Sequence, residues 1–468
     1  MNPFDDPKFD PWSRRVLAAH LRRHPVDGTF CGLHEHDDRL PDVSPEGLEE
    51  TIDSMRSALA QGELDGGAAG SAGGVGWASE SDPVQSGALD RRLVRGFLKS
   101  RVWEYESGHV SANPSVHAGD AVFGLMAPLL ARNGDVSERR ESVEARLAAL
   151  PAFLSSARAV LEDGDASRWR PGGAGGEGGP VHGAPIPTAW VRRALRECGA
   201  GVRFVEEGLD RLDLDDAARW TPERRSAAAE ALRSFAGFLE AELLPAGSGD
   251  VACGPEAFDM YLREGHFLPV SADEVARYAR DELSRTRSWL KSAASGLGGS
   301  TPEDVLGRVA DHHPSAAGYL GQYRDTWVAM REAALARDLV TWPDAPIEYV
   351  ERPAWARAAA PDLYFLFYRS PPAFRRPDVH RYLVAPLDEA LSDEDRRAFL
   401  RANNDTVIKL NHVIHHGGIG HHVQNWHAYR SPSLVGRIAA VDCASRIAMF
   451  CGGTMAEGWA CYATDLMA

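Results

Sequence analysis

Six of the chain's 17 histidines fall within residues 411–430, NHVIHHGGIGHHVQNWHAYR. His412, His415 and His416 precede three glycines, Gly417, Gly418 and Gly420, and His421, His422 and His427 follow or flank them. Two imidazole-bearing segments joined by a flexible glycine corner suit two arms folded round one metal ion. Further on, Glu457 is the first carboxylate of the largely apolar stretch AEGWACYATDL, followed by Asp465 near its end. Two imidazole nitrogens and one carboxylate oxygen make a ligand set of zinc hydrolases.

Helix geometry limits which histidines can meet. At about 100° per residue, His412 and His416 lie about 40° apart and one turn removed, a spacing that lets two imidazoles share an ion. His415 and His421 would point some 120° apart on an unbroken helix, about 9 Å along its axis, so they converge only if the helix bends or bulges between them. The glycines permit such a bend. Imidazole with one carboxylate favours zinc, with other divalent transition metals as alternatives, over an oxygen cage for magnesium or calcium. The competing reading, six histidines that cap helix ends and bond to carbonyls, is disfavoured by their density.

Other candidates are weaker. Asp442, Arg437 and Arg446 lie before Glu457, where a helix would let them orient ligands from behind, although exposed ion pairs are the commoner outcome. Tyr364, Tyr368, Tyr382 and Tyr429 could donate to an oxyanion, but aromatic packing is the better expectation for each. The glycine-rich segment 172–179 lacks the Lys-Ser/Thr of a phosphate loop, and no GxSxG nucleophile motif occurs.

The elements that must position these residues read as helices. The chain has 468 residues, 44 % of them hydrophobic, enough for a well-buried core. Apolar residues recur at helical spacing over 10–23, 90–106, 118–131 and 138–162. Pro, Ser-Pro or Ser/Thr followed by acidic residues opens further helices near 44, 187, 221, 271, 301 and 392. The β signal is confined to IEYVERP (347–353) and LYFLFYRSPP (363–372), read as hairpin strands, with HRYLVAPL (380–387) as a third run. The expectation is thus a mainly α protein with a small β hairpin or sheet near the metal helix. We read residues 1–468 as a single unit, with an N-terminal helical part (1–265) and a metal-site part (266–468). Because the chain stops inside a periodic segment, the reading includes a truncated C-terminus or a partner segment or chain that supplies the rest.

Lys+Arg 51 against Asp+Glu 67 gives a formal charge of -16 without a basic run, which argues against nucleic-acid or membrane partners. A cationic small molecule or peptide is compatible with that charge. The start, MNPFDDPKFDPW, is acidic where a secretion signal is basic and apolar, and no stretch reaches the roughly 18 apolar residues of a membrane span. A cytoplasmic protein is expected. Six scattered cysteines, Cys31, Cys198, Cys253, Cys443, Cys451 and Cys461, fit reduced and mostly buried thiols.

Two motifs carry a resemblance. His415, Gly420, His421, His422 and Gln424 match a segment close to HEaYPGHHxQ, and Glu457, Gly458, Trp459, Ala460, Tyr462 and Ala463 match EGWAxYAE. With weaker similarity at 32–47 and 146–161, the chain resembles DUF885 proteins, a domain placed with zinc metallopeptidases of the gluzincin type. The resemblance implies a mainly helical, gluzincin-type architecture with zinc on His415, His421 and Glu457. His422 is the alternative to His421, His412 an additional candidate ligand, and Gln424 and Asp442 candidates for support behind the ligands.

At the position of the family's general-base glutamate this chain has His416, and Gly418-Ile419 replaces the Tyr-Pro that follows. Losing a carboxylate base costs orders of magnitude in such chemistry. Two readings follow. In one, a metal-dependent hydrolase acts on a peptide, amide or related small substrate, with neutral His416 as a weaker base. In the other, hydrolysis is lost, and the fold is a binding scaffold or a biosynthetic enzyme with His416 as an added ligand.

Overall fold

The computed structural model describes residues 3–66, 83–131, 136–162, 186–212, 220–249, 251–363, 370–444, 448–450 and 453–467. The glycine-rich stretches 67–76 and 172–179, Tyr364, Tyr368, Arg446, Cys451 and the terminal Ala468 lie outside these residues. The protein is mainly helical, and side-chain caps set where several helices begin. Asp10 accepts from the Ser13 amide at 2.8 Å to open Pro11–Arg23. Ser271 with Glu274 and Thr301 with Asp304 form reciprocal capping boxes at the heads of Ala272–Gly296 and Pro302–Ala310. Each cap satisfies an amide the helix leaves unpaired, worth roughly 1 kcal/mol.

The largest core is built by Pro114–Ala131, Val136–Glu162, Thr188–Arg203 and Pro222–Phe238, which bury Leu125, Leu147, Val191 and Leu232 among themselves. Burying each such side chain stabilises by roughly 1.5–3 kcal/mol. Val435, Ile438, Val441 and Met449, from far along the chain, complete the same core. The segment between the histidines and Glu457 is therefore anchored in the N-terminal helices.

Two smaller cores flank the histidines. Tyr319, Tyr323, Ile347, Tyr349, Tyr382, Ile408 and Val413 form one, and Ala334, Ile414, Ile419, Ala463 and Met467 the other. The helix Tyr319–Ala336 contributes to both.

The small sheet differs from the expected hairpin. β1 (Ile347–Glu351) pairs with β2 (His380–Val384), and the pairing is parallel, with Tyr349 opposite Tyr382. A tight turn joins only antiparallel strands, whereas a parallel pair needs a connection of roughly a dozen residues or more, which the long segment between β1 and β2 supplies. The 380–387 run is thus the partner strand. Residues 363 and 370–372 are not in a strand.

One helix departs from its sequence pattern. Ala272–Gly296 has a clear apolar stripe, yet only Ala294 is buried, and Tyr278 and Trp289 are 67 % and 66 % exposed. Among the described cysteines, Cys31, Cys198 and Cys443 are buried and Cys461 is exposed.

Candidate metal centre

The histidine segment opens at Asn404, whose Oδ1 accepts the amides of Thr406 and Val407, both at 3.1 Å. One α turn, Asp405–Val407, then passes into a π-helical stretch, Ile408–Gly417. A π-helix bonds each amide five residues back instead of four, which rotates successive side chains away from the α-helical pattern. Ile408 and Val413 are fixed in the tyrosine core and Ile414 in the core beneath Glu457.

The glycine corner is closely packed. A Cβ on Gly417 would stand 1.9 Å from the Tyr349 hydroxyl, and one on Gly420 1.9 Å from the His415 carbonyl oxygen, so neither position accepts a side chain without displacement. Two indoles pin the corner. Trp327 Nε1 donates to the Gly417 carbonyl at 2.9 Å, and Trp459 Nε1 to those of Ile419 and Gly420. The corner expected to be flexible is held on both sides, and it delivers His421 at the start of the helix His421–Ala428.

This geometry brings four side chains together. The Glu457 carboxylate lies 3.2 Å from His415 Nε2 through one oxygen and 3.5 Å from His421 Nε2 through the other. One ligand atom each from His415, His416 and His421 lies within 4.8 Å of the other two. Two ligands about 2.0–2.1 Å from one tetrahedral ion stand roughly 3.3–3.4 Å apart, so the Glu457 spacings are those of neighbouring ligands. The donor set of imidazoles and one carboxylate fits zinc or a similar transition metal better than magnesium or calcium.

His416 Nδ1 lies 2.8 Å from the Asn411 carbonyl oxygen. A carbonyl only accepts, so Nδ1 carries the proton and Nε2 keeps a lone pair, the tautomer imposed on metal-binding histidines by an outer partner. Burial keeps His416 neutral, with its pKa pulled down to about 3. Hydrogen bonds from His415 and then His421 hold the Glu457 carboxyl far below the usual carboxylate range, against the opposing effect of burial. The Glu457 side chain is 42 % exposed, which leaves the cluster open on that side.

The remaining histidines face elsewhere. His412 Nδ1 meets the Tyr382 hydroxyl at 2.5 Å, and its ring sits beside Tyr323. His422 Nε2 donates to the Ala345 carbonyl at 2.7 Å, and its ring stacks on His380. His427 is exposed against Trp426. Gln424 lines the cleft beside His416 and His421, with its Oε1 buried and lacking a hydrogen-bond partner.

Asp442 lines that cleft too, but it lies in a non-helical segment rather than on a helix. Its carboxylate accepts from Ser370 and the Ala448 amide. Arg437 instead donates to the Ser431 carbonyl and covers the Phe9 ring. Tyr382 packs as expected of an aromatic core residue, and the Tyr429 hydroxyl donates to the Pro371 carbonyl. The sequence reading gave no role to Trp327, Tyr349 or Trp459, which set the corner; only Trp459 carried a signal, its place in EGWA.

A mainly helical protein whose imidazoles and carboxylate converge from a π segment, a glycine corner and a later helix is the class these observations define. The chain belongs to the DUF885 family, described as bacterial protein of unknown function, which matches residues 25–468. Among solved structures it is similar to a "putative lipoprotein of unknown function" from Shewanella oneidensis, at 18 % identity and a TM-score of 0.65, covering 100 % of this chain and 78 % of that one. It is also similar to a "putative lipoprotein" from Colwellia psychrerythraea, at 14 % identity and a TM-score of 0.62, covering 97 % and 77 %. At these identities the likeness is one of fold. A comparison with curated proteins finds no match.

Proposed function

We propose that this DUF885 protein is a metal-dependent, gluzincin-type hydrolase-like enzyme acting on a peptide, amide or related small substrate. His415, His421 and Glu457 would hold zinc or a similar ion. The observation that carries this reading is the 3.2 and 3.5 Å spacing of the two Glu457 oxygens from His415 and His421. When bound, such an ion polarises a carbonyl and acidifies water. The chain's own residues do the rest: Glu457 and the imidazoles orient one another, and Gln424 lines the cleft beside them. His416, with its lone pair on Nε2, stands where a base would take a proton from water.

A second reading is supported by the clustering of His416 with His415 and His421. With His416 as a further ligand, no base remains at that position, and the site suits a binding scaffold or non-hydrolytic metal chemistry. Metal content by elemental analysis, on protein purified without a histidine tag and beside Glu457→Ala, tests the shared premise. About one ion per chain, lost in the variant, supports it; a folded protein that takes up no zinc rejects both metal readings. A peptide and amide screen of the loaded protein then separates them. The cytoplasmic location expected from the sequence belongs to the same proposal, and cell fractionation tests it against the lipoprotein names of the two structural neighbours.

A further inference from the structure

The helix Ala272–Gly296 carries a pattern that the metal centre does not use. Ala272, Ala279, Thr286 and Ala293 recur every seven residues, and so do Ala276, Leu283, Leu290 and Leu297, four positions further on. Residues four apart share a helix face, so the two columns form one stripe, widened by Val275 and Trp289. An apolar repeat of seven is the pattern of a helix that packs along a second helix. The small column lets the two backbones come close, and the leucine column supplies the apolar area.

That stripe is uncovered. Residues 277–292 are exposed apart from the half-buried Glu282, and Leu283, Leu290 and Leu297 are exposed with Tyr278 and Trp289. At 1.5 Å per residue, the 25-residue helix is about 37 Å long. Helices in proteins owe most of their stability to a packed apolar face, and an exposed one of this length marks an interaction surface.

Charge indicates the occupant. Residues 273–282 hold four carboxylates and two guanidiniums, whereas residues 285–291 hold three cations and no carboxylate. An antiparallel copy of the helix sets the acidic half of each against the basic half of the other, while a parallel copy sets like on like. A twofold axis beside Leu283 also makes the stripe self-complementary: Val275 meets the turn of Leu290, Ala279 the turn of Thr286, and Asp281 lies beside Arg285 of the second copy. Arg285 pairs with Glu282 of its own helix, but that pair is exposed and holds little. With both signs nearly balanced, the polar face lacks the basic bias of a helix that lies on anionic lipid.

We propose that the Ala272–Gly296 stripe is a dimer interface, on which a second copy of this chain packs the same helix antiparallel about Leu283. The proposal is independent of the metal reading.

Analytical ultracentrifugation of the full chain over a range of concentrations tests it. The expected result is a reversible monomer–dimer equilibrium. Leu283→Glu seats two carboxylates against each other on the axis and should weaken the dimer at least about tenfold. Asp281→Arg sets guanidinium on guanidinium, with a similar expected loss of about tenfold. Adding Arg285→Asp to it should bring the affinity back to within about threefold of the native value. Circular dichroism confirms that each variant scored is folded. A native chain that stays monomeric overturns the proposal and leaves the stripe to a different polypeptide or, if the chain floats with phosphatidylglycerol vesicles, to a membrane. A dimer of unchanged affinity in Leu283→Glu, or no recovery in the double variant, overturns it as well.

Discussion

Trp459 donates its indole N–H to the carbonyl oxygens of Ile419 and Gly420, at 3.0 and 3.2 Å. Two residues earlier on the same helix, Glu457 faces His415 and His421. One helix thus presents a candidate ligand and fastens the corner between the other two. Trp459→Phe keeps the apolar contact and leaves the two carbonyls short of a donor, at a cost of roughly 1–3 kcal/mol. The variant should fold, with metal affinity in chelator competition about 10–100-fold weaker, as for other groups that orient ligands from behind. Unchanged affinity would show that the corner needs no indole to place His421.

His416→Glu separates the two functional readings. A carboxylate there restores the residue type that takes the proton from water, a role worth roughly 10²–10⁴-fold in rate. If hydrolysis has been lost, the variant gains peptide or amide cleavage that the native protein lacks. If His416 serves as the base, the variant loses the native hydrolysis instead.

Arg146 is a buried cation that ties two distant stretches together. It donates to the Arg39 and Gly124 carbonyls at 3.0 and 2.7 Å and to Thr29 Oγ1 at 2.9 Å, and lies 3.9 Å from Asp37. Burial lowers its pKa to about 10, with Asp37 opposing that shift, so it remains charged at neutral pH. Arg146→Ala leaves the Asp37 carboxylate buried beside His34 and Thr29 without its cation. The expected loss is about 3–5 kcal/mol, read from the urea midpoint. A loss below about 1 kcal/mol would mean that His34 and Thr29 suffice for Asp37.

His117 makes stability depend on pH. Burial lowers its folded pKa to about 4, whereas an unfolded histidine titrates near the ordinary value of 6.5. Between those values the unfolded chain binds the proton more readily. The contribution is therefore fully present above pH 6.5 and is lost as pH falls toward 4. The full difference is roughly 3 kcal/mol for this residue. The groups lining its cavity, Asp27, Asp42, Asp120, Arg23, Arg101, His20, His24 and Tyr105, are retained in the comparison. Urea unfolding at pH 7 and pH 5 should show a smaller loss on acidification in His117→Phe than in the native chain. Equal losses would assign the acid sensitivity to other groups.

The sequence by itself determined what depends on near neighbours. Helix starts at Ser271, Thr301 and Ser392 were legible because a cap acts within three residues. The concentration of histidines, the glycine break and the motif around Glu457 were legible as residue types, and the limit of an unbroken α-helix already required a bend between His415 and His421. Tertiary structure alone decided which imidazoles turn inward. His412 and His422 are as good as ligands in sequence, but Tyr382 and the Ala345 carbonyl engage them, and neither partner is near in the chain. The parallel pairing of β1 with β2 and the exposure of the Ala272–Gly296 stripe were hidden for the same reason. Periodicity shows that a strand or helix has an apolar face, while only the packing of distant segments settles what, if anything, lies against it.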